Sequence, residues 1–281
     1  MLASLLALLA SCSWGTSDFF AGVETRRSSA WGVAVVGQIT AAAGSLVLAA
    51  LLAPAPPGAG VVAVLVLGGA SSAVGVIAGY RALAVTKMSV VAPIIAGAAV
   101  VPVIWGVAGG ERPGLLQAVG VVAAVLGVVL ISRADPRATG GERAVNRTGV
   151  LLAVVTALGM GGMLVALDSG GTGDPYWPVT VVRCSATLCI VAFVIATRPA
   201  LRLRRSAAPL LLVVGALILV ANAAFAVATT RADLSVVGVL GWLGPAVIIV
   251  WARVLLHERL RPVQWFAAGL VLTGVVCLAL G

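Results

Sequence analysis

The sequence predicts an all-α polytopic membrane protein, with ten transmembrane helices arranged as two inverted five-helix repeats. Three observations predict it. Of 281 residues, 61% are hydrophobic and only 10% are charged, with a mean hydropathy of +1.16. A soluble domain carries about 25% charged residues, so these few cannot cover a water-exposed surface. The apolar residues fall in runs of about the 20 that a bilayer-spanning helix needs. Finally, the second half of the chain repeats the marks of the first in the same order.

The first predicted span is Leu2–Gly22. It lacks a basic leader and a clear cleavage pattern, so it reads as a helix that stays and not as a signal peptide. The spans Ala30–Ala53, Val61–Ala82, Ser89–Ala108 and Leu115–Ser132 follow, then Thr148–Leu167, Tyr176–Thr197, Pro209–Thr229, Ser235–Leu255 and Val263–Leu280. Breakers separate them, such as Pro54-Ala55-Pro56-Pro57-Gly58, Gly109-Gly110-Glu111-Arg112-Pro113 and Gly170-Gly171-Thr172-Gly173-Asp174-Pro175. The 34 glycines and many alanines suit helices that pack closely in lipid through small residues. Pro93 and Pro102 should kink the fourth span. Gly238, Gly241 and Gly244 followed by Pro245 should bend the ninth.

The longest connection, Arg133–Arg147, is polar and charged and follows the fifth span. It divides the chain into a first repeat over residues 1–132, a linker over 133–147 and a second repeat over 148–281. Ser89-Val90-Val91, Glu111-Arg112, Gln117 and Gly127 recur as Ser235-Val236-Val237, Glu258-Arg259, Gln264 and Gly274. Glu to Gln is six residues and Glu to Gly sixteen in both copies, whereas Ser to Glu is 22 in one and 23 in the other. The interval from Ser89 to Ser235 also sets Trp31 on Trp177, Gly37 on Arg183, Gln38 on Cys184 and Trp14-Gly15 on Met160-Gly161. Five spans per repeat is an odd number, so the second repeat should enter the membrane from the opposite side. Glu111 and Glu258 should then lie at opposite faces, each capping the first turn of the helix that follows it.

The net charge of +9 is a matter of orientation rather than of nucleic-acid binding. Loops after odd-numbered spans hold thirteen basic residues: Arg26, Arg27, Lys87, Arg133, Arg137, Arg143, Arg147, Arg198, Arg202, Arg204, Arg205, Arg259 and Arg261. The other face holds Arg112 and Arg231. The first face, including residues 133–147 and 198–205, is therefore expected in the cytoplasm of a plasma or inner membrane, with both termini outside. Cys12, Cys184, Cys189 and Cys277 lie in apolar segments without a CxxC, and His257 has no partner at ligand spacing, so neither a metal nor another cofactor is expected. No GxSxG, HExxH or Walker loop is present, which argues against an enzyme and against ATP-driven transport by this chain alone.

Ionisable side chains within a bilayer are costly and so point to function. Arg183 lies seven residues into the seventh span and is suited to fork a carboxylate. Asp18 shares a helix face with Ser11, Trp14, Gly15 and Gly22. It would pair with Arg183, bind an amine or carry a proton. Gln38 and Asn222 are amides inside spans two and eight, able to hydrogen-bond a substrate or a neighbouring helix. Tyr80 ends span three as a cavity wall or a belt aromatic, and Trp242 sits among the glycines of span nine. The expected substrate-binding set is Trp14, Asp18, Gln38, Tyr80, Arg183, Asn222 and Trp242.

Ten spans in two repeats, Trp14-Gly15 in the first span, Val182-Arg183-Cys184 in the second span of a half and the turn Gly110-Glu111-Arg112 resemble the EamA family of the drug/metabolite transporter superfamily. The resemblance covers nearly the whole chain. It implies a secondary active carrier, often an exporter of amino acids, other metabolites or drugs, that works by alternating access around a central cavity. Family members are commonly drawn with cytoplasmic termini, and the charge count argues the reverse here. The expected partners are a small-molecule substrate, the lipid bilayer and a proton or other coupling ion. A scaffold or accessory subunit that transports nothing is the alternative, and it would lack a water-accessible path to Arg183.

Overall fold

The computed structural model describes residues 2–53, 56–110, 112, 114–132, 146–170, 176–229, 231, 240–241, 243–258 and 262–280. Within them the regular structure is all helical. The helices are α1 (Leu2–Glu24), α2 (Ala30–Leu52), α3 (Ala59–Val85), α4 (Met88–Ala96), α5 (Val100–Ala108), α6 (Leu115–Ser132), α7 (Arg147–Ser169), α8 (Tyr176–Thr197), α9 (Ala208–Thr229), α10 (Gly244–Leu255) and α11 (Pro262–Leu280). Among the described residues six helical stretches are long and apolar enough to cross a membrane: Ala30–Leu52, Ala59–Val85, Met88–Ala108, Arg147–Ser169, Tyr176–Thr197 and Ala208–Phe225. Leu115–Leu130, Gly244–Leu255 and Pro262–Leu278 are apolar but shorter. In lipid each backbone polar group must be satisfied within the segment, which a helix does by itself.

Large apolar side chains such as Leu51, Leu67, Leu115 and Leu212 point outwards. The buried set is instead dominated by Ala, Gly, Ser and Val. This inversion of a soluble core is what lipid as solvent requires. Leucine gains nothing by leaving hydrocarbon, whereas small residues let backbones approach.

The fourth expected span is one membrane-length stretch broken in the middle. A 3-10 turn, Gly97–Ala99, separates α4 from α5. The two prolines flank this turn and do not mark it: Pro93 lies inside α4 and Pro102 inside α5. Pro102 has no N–H to offer the carbonyl of Ala98, one turn earlier, and the helix tightens there. Within the ninth expected span, α10 begins at Gly244 with Pro245 in its first turn. α6 and α11, in the fifth and tenth expected spans, pack along each other's length.

Contacts between the halves obey one offset. A Cβ built on Gly15 would stand 2.5 Å from the Gly244 carbonyl oxygen and 2.7 Å from Val247 Cβ. One built on Gly161 would stand 2.9 Å from the Ala98 carbonyl oxygen and 2.4 Å from Val101 Cβ. Every residue of the first contact is 146 positions from its mate in the second. Between α6 and α11 the offset becomes 147: Gly127 lies against Ala267 and Val271, and Gly274 against Gly120 and Ala124. The one-residue slip between the copies thus falls between Val101 and Gly120. The helix pairs follow the same exchange, with α3 on α7 and α9 on α1, and α3 on α8 and α9 on α2. Two copies of one packing scheme, exchanged across the interface, hold the halves together.

Candidate functional site

The polar residues that sequence singled out converge on the interface between halves. Trp14, in α1, donates its indole Nε1–H to Asn222 Oδ1 of α9 at 3.2 Å, a bond across 208 residues. Its ring lies 5.3 Å from that of Phe225, one turn beyond Asn222. Asp18 sits one turn further along the same face of α1. It interacts electrostatically with Arg183 of α8 and with Tyr80 of α3, and Tyr80 also interacts with Arg183. Four helices from both halves, α1, α3, α8 and α9, therefore bring an acid and an indole, a phenol, a guanidinium and an amide together.

No direct ion pair joins Asp18 to Arg183; the one salt bridge among the described residues is Arg26–Glu258 at 3.2 Å. Asp18 is exposed by surface area, although Ser17 and Phe19 on either side of it are fully buried and protein surrounds it. Asp18 is thus accessible at a point of α1 where both of its chain neighbours are enclosed. Arg183 is half-buried and Tyr80 is buried.

Two features of α2 shape the surroundings of Tyr80 and Arg183. A Cβ on Gly37 would stand 3.7 Å from the Tyr80 hydroxyl, so the phenol points at the bare backbone of α2. Gly37 is the mate of Arg183. Where one half projects a guanidinium, the other leaves room for the phenol. Gln38 is buried, and its Oε1 has no hydrogen-bond partner, nor has Nδ2 of Asn222. Gln38 is tied to the Arg183 turn through its backbone: Thr187 Oγ1 donates to the Gln38 carbonyl at 3.0 Å and to the Arg183 carbonyl at 2.8 Å. Unsatisfied buried amide atoms are uncommon, since each costs about 1–3 kcal/mol.

The mates of Trp14, Asp18, Tyr80 and Asn222 at the 146-residue offset are Met160, Leu164, Ala226 and Val76. The scaffold is duplicated, but the polar set is not. Phe225 and Thr187 were not expected, nor was Trp251, whose Nε1–H donates to Thr16 Oγ1 at 2.9 Å and whose ring stacks on Phe19 at 6.2 Å. For Trp251 a signal was present, because the offset places it on Trp105. Phe225 and Thr187 are residue types too common in membrane helices to stand out. Trp242, Ser235 and Glu111 lie outside the described residues. Among the described residues no group of three His, Cys, Asp or Glu could hold a metal ion.

A solved crystal structure is similar in fold at 16% sequence identity, with a TM-score of 0.64 over 98% of this chain and 95% of that one. No curated protein matches the sequence. The model of the EamA-like transporter family matches twice, over residues 1–133 and 147–280. With both repeats matched and nearly all of its length covered, the chain belongs to the EamA-like transporter family.

Proposed function

We propose that the protein is a secondary active transporter that exports a small metabolite or drug by alternating access. In this reading ten spans form two inverted repeats, 1–132 and 148–281, joined by the 133–147 linker. The substrate sits where the halves meet, near the middle of the membrane. One observation carries the reading: Asp18 is accessible between two fully buried neighbours, Ser17 and Phe19, and lies within electrostatic reach of Arg183 and Tyr80. A scaffold has no use for a charged, solvated site in the bilayer, where such groups are costly unless they serve a path.

Roles follow from chemistry. Arg183 presents donors to an anionic group of the substrate. Asp18 receives a cationic group or the coupling proton. Trp14 and Phe225 form an apolar wall, and the bond that the Trp14 indole donates to Asn222 fixes the indole plane. Tyr80, Gln38 and Trp242 complete the expected set. The prolines and glycines of the broken α4–α5 span and of α10 mark where backbone bends during the cycle.

A thermal-shift screen of amino acids, nucleosides and cationic dyes on purified protein tests the reading, because a ligand stabilises the state it binds. A stabilising solute whose effect disappears in Arg183→Ala or Asp18→Asn is the expected result. A hit unaffected by both substitutions places the site elsewhere.

A further inference from the structure

The duplicated scaffold carries one feature at a single face that the carrier reading does not use. Trp31 is the second residue of α2, Arg81 lies four residues before the end of α3, and Phe193 lies four before the end of α8. All three are thus within about 6 Å of a helix end, on the face where α1, α3 and α8 finish. The indole of Trp31 stacks on the Phe193 ring with centroids 5.0 Å apart and planes 15° from parallel. The Arg81 guanidinium stands over the same indole, 5.8 Å from its centroid. Arg81 and Phe193 are exposed.

The segment that follows α8 extends this patch. Ser29 N–H donates to the Arg202 carbonyl at 2.9 Å, and Arg204 N–H to Ser28 Oγ at 3.4 Å. Leu203 closes on Gly32, next to Trp31. The segment alternates Leu201, Arg202, Leu203 and Arg204, all exposed. Among the described residues, the carboxylates of this face are Glu24 and Glu258, and both are buried. Neither they nor any other described acid pairs with Arg81, Arg202 or Arg204.

The 146-residue mates of Trp31, Arg81 and Phe193 are Trp177, Val227 and Val47. The indole is kept, but the cation and the second ring are not. The scaffold therefore does not require them.

We propose that this patch is a headgroup site for an anionic phospholipid of the adjoining leaflet. The Arg81 fork takes phosphodiester oxygens, and Arg202 and Arg204 face the same anionic surface. The stacked Trp31 and Phe193 rings lie at the depth of the glycerol backbone, where amphipathic aromatics settle. Leu201 and Leu203 add apolar contact to the upper acyl chains. Charge complementarity selects the occupant: a zwitterionic headgroup would bring a second cation to a surface already holding several.

The test is a thermal melt of the purified full chain in mild detergent, titrated with phosphatidylglycerol, with phosphatidylcholine or with inorganic phosphate. Phosphatidylglycerol should raise Tm, and the concentration giving half the shift should rise about fivefold in Arg81→Gln, the change expected for one basic residue at an anionic surface. Arg231→Gln, on the opposite face, should leave the titration unchanged. If Arg81→Gln does not fold, the Arg202→Gln/Arg204→Gln pair carries the same test, because it lies outside the helices. Equal shifts from phosphatidylcholine, an equal shift from phosphate alone, or an undiminished response in the substituted protein would overturn the proposal.

Discussion

Glu258 of the second half caps a helix of the first. Its Oε2 accepts from the Ser89 hydroxyl at 2.8 Å and the Ser89 backbone N–H at 3.1 Å. Oε1 accepts from Met88 N–H at 3.3 Å and from Arg26 Nη2 at 3.2 Å. Sequence suggested a cap on the next helix in the chain, which is α11. The carboxylate instead reaches α4, whose first two N–H groups are otherwise unsatisfied. The Ser-Val-Val mark of one copy and the Glu mark of the other are thus the two ends of a single contact.

Removing that contact should cost stability. Glu258→Ala removes the acceptor of two N–H groups, of the Ser89 hydroxyl and of one arm of the Arg26 guanidinium, so a loss of about 2–3 kcal/mol is expected. Ser89→Ala should cost about 1 kcal/mol. A double-mutant cycle read by denaturation should show strong coupling between the two; additive losses would mean that the bond contributes nothing.

Substitutions at the mated glycines should match each other. Alanine usually stabilises a helix relative to glycine, by about 1 kcal/mol. At Gly15 and Gly161 the added Cβ meets a backbone carbonyl and a valine, so Gly15→Ala and Gly161→Ala should both lower Tm. Gly60, with nothing within 4 Å of a built Cβ, should tolerate alanine or gain from it. Opposite signs at Gly15 and Gly161 would contradict the shared packing scheme.

Asn222→Leu should deprive the Trp14 indole of its acceptor inside the fold, at a cost of about 1–3 kcal/mol. Because Trp14 shares a helix face with Asp18, the same change should weaken ligand binding in the thermal-shift screen. Trp14→Phe combined with Asn222→Leu removes both polar partners and should recover stability without recovering affinity. Stability and affinity returning together would separate Trp14 from the site.

Topology can be read by labelling. With the native cysteines replaced, a cysteine at position 202 should react with a membrane-impermeant maleimide only after intact cells are opened. A cysteine at position 112 should react from outside. The reverse pattern would place the termini in the cytoplasm and contradict the orientation read from the basic loops.

Much of this was legible in the chain because two copies of one design constrain each other. The offset of 146 that aligns Ser89 with Ser235 also relates the Gly15 and Gly161 contacts, and the slip to 147 reappears in the packing of Gly127 and Gly274. The helix boundaries followed from apolar run length. The break at Gly97–Ala99 was only half visible, because Pro102 acts on a carbonyl a turn away and the irregularity is displaced from the proline itself. Asp18 and Arg183 stood out because charge is rare in such segments. The Glu258 cap on α4 and the Tyr80 hydroxyl against Gly37 were hidden: both join distant positions, and helix periodicity carries no record of which helix lies opposite.

The most direct test is gradient-driven uptake into proteoliposomes of a panel of amino acids, nucleosides and cationic dyes. The account predicts that the native protein accumulates at least one of these, and that Arg183→Ala abolishes the flux while the protein remains folded. It also predicts that Asp18→Asn abolishes flux or uncouples it from a pH gradient. Full transport by both variants, or no accumulation of any solute by the folded native protein, would contradict a carrier with its site between Asp18 and Arg183.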